Sequence, residues 1–225
     1  MKKRRTESTK TKKEPTFKKK ELVPKSKNQA EYIRCIVENH VTLCTGPAGS
    51  GKTAIATGMA CEALLRHDVD RIVITRPVIE SGKGLGFLPG NMLEKVNPYM
   101  VPIVEEMKLY LGDQMNALKA NNTIEICPLE YMRGRNFHNT FMILDEAQNC
   151  TFEQIKMFLT RIGVGSKVII NGDTDQSDLP EYTKGGFKTL LNKLQDLDGV
   201  GIAVLTNEDV VRNGIIPRIL DRLKS

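Results

Sequence analysis

The chain has 225 residues and a mass of 25.2 kDa, with 40% hydrophobic and 27% charged residues, a composition typical of globular proteins large enough to bury a sizeable core. No apolar run approaches the roughly 18 residues of a membrane helix and none follows the charged N-terminus, so we expect neither a membrane protein nor a secreted one. The five cysteines are scattered without a CxxC pair, which argues against a disulfide scaffold or zinc knuckle and predicts a reducing, cytoplasmic location.

The net charge of +6 comes from the N-terminus. Residues 1–20 carry ten Lys or Arg and two Glu, whereas the remaining residues carry 23 basic and 25 acidic side chains. Because this segment has almost nothing apolar to bury, residues 1–25 are predicted to be a disordered basic tail and residues 26–225 a folded domain. The tail has two interpretations: a solubilising leader, or a non-specific nucleic-acid tether that neutralises phosphates and is weakened by salt.

From Ser26 onward, short apolar runs alternate with longer helical stretches. The predicted strands are His40–Thr45, Arg71–Thr75, Thr123–Cys127, Phe141–Leu144, Lys167–Asn171 and Ile202–Leu205. The predicted helices are Thr53–Arg66, Met92–Leu111, Thr151–Ile162, Gly186–Gln195 and Pro217–Lys224, and Thr151 with Gln154 fits a capping box. The alternation predicts an α/β fold with a mainly parallel sheet covered on both faces. Such sheets bind ligands beyond the carboxyl ends of their strands.

The first unusual segment follows the first predicted strand and reads Gly46-Pro47-Ala48-Gly49-Ser50-Gly51-Lys52-Thr53, a full match to GxxxxGK[ST]. Its glycines let backbone N–H groups converge on phosphate oxygens, and the helix begins directly beneath them. Lys52 is expected to reach the β- and γ-phosphates, and the Thr53 hydroxyl to coordinate Mg²⁺. A match placed between an apolar strand and a helical pattern predicts that the chain binds a nucleoside triphosphate.

The second unusual segment is the apolar run 141–144, which leads directly into Asp145 and Glu146. A buried charge is costly without a partner, and a magnesium ion would supply one. Asp145 is expected to hold Mg²⁺ and Glu146 to orient or deprotonate the attacking water, which favours hydrolysis over storage of the nucleotide. The alternative is that the two acids are solvated and only cap a strand. A complete phosphate loop on another strand makes that alternative less favoured.

A third apolar strand ends in Asn171-Gly172-Asp173-Thr174-Asp175-Gln176. Gln176 is placed to sense the γ-phosphate or the water aligned with it. An ordinary turn explains the GDxxQ pattern equally well when it is taken alone. The GDxxQ pattern supports a nucleotide site because it comes third in sequence order, after the phosphate loop and the acidic pair.

Together, GPAGSGKT, ILDEAQN and GDTDQSDLP resemble the PhoH-like family, and the long blocks 75–90 and 128–149 extend the resemblance, which covers about residues 26–213. The resemblance implies a three-layer, RecA-like P-loop NTPase domain, similar to the first core of superfamily-one helicases, that binds ATP and Mg²⁺. Gln29 resembles the family's adenine-reading glutamine, although an exposed neighbour of a helix cap is the plainer interpretation. Gln176 matches the motif that couples the γ-phosphate to nucleic-acid contacts.

Several arginines also match positions of the family. Arg212 resembles the basic residue that stabilises charge on the transferring phosphoryl group, from within the chain or across a subunit boundary. Three others match family motifs, but spacing leaves open whether they contact ATP, nucleic acid or an ordinary salt-bridge partner: Arg76, Arg133 and Arg135. The chain has one phosphate loop and too few residues for a second RecA-like core. By family analogy we expect a homo-oligomer, a hexameric ring with each site at a subunit interface.

Two functions stay open at this stage. One is a Mg²⁺-dependent ATPase that couples hydrolysis to RNA or single-stranded DNA, favoured by the basic tail and the helicase-like motifs. The other is a nucleotide-dependent switch or scaffold that moves no nucleic acid, favoured by the low aromatic content of 5%, because base-stacking platforms use aromatic side chains. A kinase-like transfer ranks last, since no acceptor site is recognisable.

Overall fold

Six apolar runs form the strands of one parallel sheet in the computed structural model, which describes residues 20–77, 92–210 and 222. The strands are β1 (Val41–Thr45), β2 (Arg71–Arg76), β3 (Ile124–Pro128), β4 (Thr140–Leu144), β5 (Lys167–Gly172) and β6 (Val200–Val204). Their order across the sheet is β3-β2-β4-β5-β1-β6, and every neighbouring pair is parallel. The predicted α/β architecture is therefore confirmed.

The helices cover both faces of this sheet. They are α1 (Lys27–Glu38), α2 (Lys52–Leu65), α3 (Met92–Leu111), α4 (Gln114–Ala120), α5 (Phe152–Leu159) and α6 (Gly186–Leu194). The predicted capping box opens α5, where Thr151 and Gln154 each accept a backbone N–H of the other. Helices α1 and α4 were not predicted, and the helix predicted over Pro217–Lys224 lies outside the described residues apart from Arg222.

Alternation along the strands divides the core into two layers. Ile72, Ile74 and Ile143 belong to the cluster beneath α1–α4, whereas Val73 and Leu144 belong to the cluster beneath α5 and α6. Strands buried on both faces leave few polar positions, so polar side chains collect where the strands end. The register pairs Thr45 of β1 with Gly172 of β5, and Leu144 of β4 with Ile170 of β5, which brings three strand ends to one edge of the sheet.

The folded part begins earlier than residue 26. The Lys20 backbone N–H donates to the Leu109 carbonyl at 2.9 Å, and its ammonium lies 2.5 Å from a carboxylate oxygen of Glu106. Leu22 packs against the core beneath α1–α4. Lys20 thus contacts α3 and Leu22 packs against the core, although both residues were predicted to belong to the tail.

All five cysteines are buried. Burial raises the pKa of the Cys44, Cys127 and Cys150 thiols, which keeps them protonated and unreactive. In the described part of the chain, no helix is both long and apolar enough to cross a membrane.

Candidate functional site

The loop between β1 and α2 adopts a conformation that requires glycine at two positions. Gly51 immediately precedes α2 with φ +97°, a left-handed conformation, and a Cβ atom there would lie 2.8 Å from the Gln29 side-chain nitrogen. A Cβ atom on Gly46 would lie 2.7 Å from the carbonyl oxygen of Leu205. Gly51, the N-cap residue of α2, has no side chain with which to cap the helix. The first N–H groups of this 14-residue helix therefore suit an anion.

Lys52 lies over this loop. Its ammonium donates to the carbonyl oxygens of Gly46 at 2.6 Å and Pro47 at 3.0 Å. Both contacts are to neutral oxygens, so phosphate oxygens would be stronger acceptors for the same N–H groups. The loop holds itself closed through Ser50, whose backbone N–H and hydroxyl both donate to the Pro47 carbonyl.

Asp145 is the charged centre of the site. It follows β4, is 1% exposed, and accepts the Thr53 hydroxyl, which lies 3.0 and 3.1 Å from its two carboxylate oxygens. The Arg76 guanidinium donates to its Oδ2 from Nε at 2.9 Å and Nη2 at 2.5 Å. The two residues predicted to hold Mg²⁺ are thus in direct contact, and a third residue, Arg76, shares the carboxylate. Arg76 therefore lies at the predicted metal site in a buried ion pair.

Glu146 differs from Asp145 in exposure and in backbone conformation. Its side chain is exposed and its backbone is left-handed at φ +60°, ψ 38°, a conformation that costs free energy for a residue with a Cβ atom. The Gln148 side chain donates to Glu146 Oε2 at 2.6 Å. The other end of that amide accepts the Asp173 N–H at 3.0 Å, so Gln148 ties the end of β4 to the end of β5.

Gln176 lies in the loop that follows β5, and its side chain is exposed. It lines a cleft of about 400 Å³ together with Gly46 and Pro47 of the phosphate loop. Within the described part of the chain, no hydrogen bond joins the Gln176 side chain to Thr53 or Asp145. The three segments therefore meet at one edge of the sheet, with Thr53 and Asp145 in contact and Gln176 beside the start of the loop.

Gln29 is buried, at 4% exposure, and does not lie on the surface. Its side-chain amide donates to the Ser50 carbonyl at 2.8 Å, and its oxygen accepts the Lys25 N–H at 2.8 Å. Each end of the amide can form one further hydrogen bond, so adenine reading stays a prediction. In this conformation Gln29 supports the phosphate loop from beneath. It does neighbour a helix cap, since its backbone N–H donates to Ser26 at the start of α1, but the expectation that it is exposed is wrong.

Arg133 and Arg135, two of the arginines that match family positions, differ in their contacts. Arg135 makes two hydrogen bonds of 2.6 Å to Glu125, and its guanidinium lies 4.6 Å from the Phe137 ring centroid. Those hydrogen bonds lower the pKa of Glu125 in spite of partial burial. Arg135 is thus engaged in an ordinary salt bridge, whereas Arg133 is exposed. Arg212 lies outside the described residues.

Two residues of this region were missed by sequence reasoning. Gln148 was recognised only as part of the ILDEAQN motif, because its hydrogen bond to Asp173 depends on strand order. Asp209 is 2% exposed and accepts the Thr206 backbone N–H at 2.6 Å, the Asn28 side chain at 3.0 Å and the Ser26 hydroxyl. The sequence Thr206-x-x-Asp209 fits a capping pattern that could have signalled this role.

A strand, a glycine loop, a helix N-terminus and a buried Asp–Thr pair at the edge of a parallel sheet together define a P-loop NTPase fold. The PhoH-like protein family matches residues 21–224. The chain belongs to that family.

Curated relatives and solved structures agree with this assignment. The PhoH-like proteins of Synechocystis sp. and Bacillus subtilis are 44% and 43% identical, with 88% of this chain and 60% and 62% of theirs aligned. Protein PhoH of Escherichia coli K12 is 42% identical over 88% of this chain and 57% of its own. The chain thus spans about three fifths of these relatives.

Among solved structures, the large terminase of a thermophilic bacteriophage has a TM-score of 0.57 at 13% identity, covering 88% of this chain and 50% of the terminase. The complex of the same terminase with ADP has a TM-score of 0.53 at 14% identity, with the same coverage. At such low identity these likenesses support the fold of the chain.

Proposed function

We propose that this protein binds ATP with Mg²⁺ and hydrolyses it at the edge of the sheet where β1, β4 and β5 end. The observation that carries the proposal is the contact of Thr53 with the buried Asp145 carboxylate beside the phosphate loop. These are hard oxygen donors of the kind Mg²⁺ prefers. Among the described residues, no group of three or more His, Cys, Asp or Glu could hold a metal. The ion would therefore complete its shell with phosphate and water oxygens, as Mg²⁺ commonly does.

Each residue has a distinct part in this proposal. Lys52 exchanges its two carbonyl acceptors for phosphate oxygens, and the N-terminus of α2 receives the remaining phosphate charge. Mg²⁺, when bound, neutralises developing charge on the transferred phosphoryl group. Glu146 takes a proton from the attacking water, with Gln148 fixing the orientation of its carboxylate. Gln176 senses the γ-phosphate, Gln29 reads adenine, and Arg212 stabilises the transition state.

Turnover and binding measured on two variants test the proposal. Lys52→Ala is expected to abolish tight ATP binding because it removes the cation that faces the phosphates. Glu146→Gln is expected to bind ATP and to lower turnover by about 100-fold or more, as for loss of a general base. Lys156→Ala, which removes an exposed lysine of α5, is the matched control and should behave as the parent. Turnover by Glu146→Gln at the parent rate would show that this carboxylate has another role.

Coupling of hydrolysis to single-stranded nucleic acid is the second part of the proposal. It rests on the basic segment 1–20 and on the exposed Arg133. Single-stranded RNA is expected to stimulate ATP turnover, and deletion of residues 1–19, which leaves the Lys20 contacts to α3 in place, is expected to reduce that stimulation more at low salt than at high salt. Turnover that is indifferent to RNA and to single-stranded DNA would favour the nucleotide-dependent switch instead.

A further inference from the structure

Arg76 and Asp145 are brought together by strand register. Strands β2 and β4 are neighbours, and their pairing runs from Arg71 with Thr140 to Thr75 with Leu144. The next pair in that register is Arg76 with Asp145. Side chains alternate between faces, so both residues continue the positions of Ile74 and Ile143, which face α2. The ion pair is thus a consequence of how the two strands align.

The Arg76 guanidinium neutralises the buried carboxylate of Asp145. The Asp145 side chain is 2% exposed and the Arg76 side chain 15% exposed. A carboxylate so far from water requires a cation or several hydrogen bonds. The Nε and Nη2 groups of Arg76 donate to Oδ2, while the Thr53 hydroxyl lies within 3.1 Å of both carboxylate oxygens. The carboxylate therefore has a guanidinium beside it before any metal arrives.

We propose that Arg76 is a built-in counter-cation that makes metal binding at Asp145 conditional on nucleotide. This inference rests on the proposed function for the identity of the metal site. A divalent cation and a guanidinium beside one carboxylate repel each other strongly at low effective dielectric. Phosphate oxygens add negative charge and further ligands, so the cation competes with Arg76 only when they are present. Arg76 is on this account a positioning residue of the site.

Titration with Mn²⁺ alone, without nucleotide, tests the proposal. The parent is expected to show no saturable Mn²⁺ binding at up to about 1 mM, whereas Arg76→Gln gains a site that binds at least about tenfold more tightly. Asp145→Asn combined with Arg76→Gln should lose that site again. Arg71→Gln, which removes an arginine from the opposite end of β2, is the matched control and should bind as the parent. Saturable Mn²⁺ binding by the nucleotide-free parent, or none by Arg76→Gln, would overturn the proposal.

Thermal unfolding of the same variants keeps the proposal testable if Arg76→Gln folds poorly. Leaving Asp145 unpaired should lower the unfolding midpoint by roughly 5 to 15 °C, and Asp145→Asn should restore most of that loss. Arg76→Lys keeps the charge and should exclude Mn²⁺ as the parent does. If neither Asp145→Asn nor Mn²⁺ stabilises Arg76→Gln, Arg76 is not the counter-cation. None of these measurements contains ATP, so they stand even if the chain fails to hydrolyse it.

Discussion

Glu146 carries a backbone conformation that most side chains avoid. At φ +60° its Cβ atom crowds the following carbonyl, a strain of about 1–2 kcal/mol relative to the right-handed form. Backbone strain of this kind is common at functional sites. It indicates that the placement of the Glu146 carboxylate is retained at a cost in the stability of the fold. The geometry directs the Glu146 side chain outward while Asp145, one residue earlier, stays inside the sheet edge.

Replacing Glu146 by glycine should release this strain while removing the carboxylate. We expect Glu146→Gly to be at least about 1 kcal/mol more stable than Glu153→Gly, which places glycine in α5 where it is unfavourable. ATP turnover should be lost in the first variant and kept in the second. Urea denaturation followed by circular dichroism gives both free energies of unfolding. Equal destabilisation of the two variants would show that the Glu146 backbone is unstrained in solution.

The strand-end residues were predictable from the sequence only in part. Lys52, Thr53, Asp145 and Glu146 were identified because each directly follows an apolar run or the glycine loop after one, and parallel strands end at a common edge. The ion pair of Arg76 with Asp145 could not be found, because it depends on which strands are neighbours. The burial of Gln29 depends likewise on how α1 packs beneath the loop.

Helix α1 is joined to the far edge of the sheet through Asp209. This carboxylate follows β6 and receives hydrogen bonds from Ser26 and Asn28 at the start of α1 and from Thr206. Burial by itself would raise the pKa of Asp209, but these hydrogen bonds outweigh it and hold the pKa below its usual range. The element that carries Gln29 is thus positioned by an ionised group.

Acid should weaken this connection. Because the pKa of Asp209 is lower in the folded state than in the unfolded state, its contribution to stability is complete above the unfolded pKa of about 3.9 and is lost as pH falls through the folded pKa. Asp209→Asn should be less stable at neutral pH and lose less stability below about pH 4. Asp198→Asn, in an exposed turn, is the control. Denaturation midpoints across this pH range measure the effect, and parallel curves for parent and Asp209→Asn would contradict it.

At the scale of elements, the sequence predicted all six strands to within two residues at each end, because continuous apolar runs mark doubly covered strands. The predicted bounds of β6 differ most from the observed ones. Ile202 and Val204 are exposed, so the apolar residues of this strand do not mark its buried positions. Helix α1 was missed because Gln29 occupies its buried face, and α4 because it has seven residues and one buried side chain, Met115.

At the scale of the whole molecule, one RecA-like core forms one phosphate loop, and the proposed Arg212 must reach it from the same chain or from a neighbour. If the protein forms a head-to-tail ring, Arg212→Ala and Lys52→Ala proteins are each inactive, yet an equal mixture regains about a quarter of parental turnover, because one subunit in four pairs an intact loop with an intact neighbouring arginine. ATPase assays on the mixture, with sedimentation to confirm assembly, measure this. A mixture as inactive as its components would place the arginine within the chain.

The pairing of β2 with β4 has a consequence for how this site tolerates insertions and deletions. Inserting one residue within either strand would invert its facing pattern, so that Thr75 would replace Arg76, or Leu144 would replace Asp145, at the strand end. Loops elsewhere in the molecule can vary in length at little cost. The ion pair at the strand ends therefore depends on the number of residues in each strand as well as on the identities of Arg76 and Asp145. That number is set by the spacing from Arg71 to Arg76 in β2 and from Thr140 to Asp145 in β4.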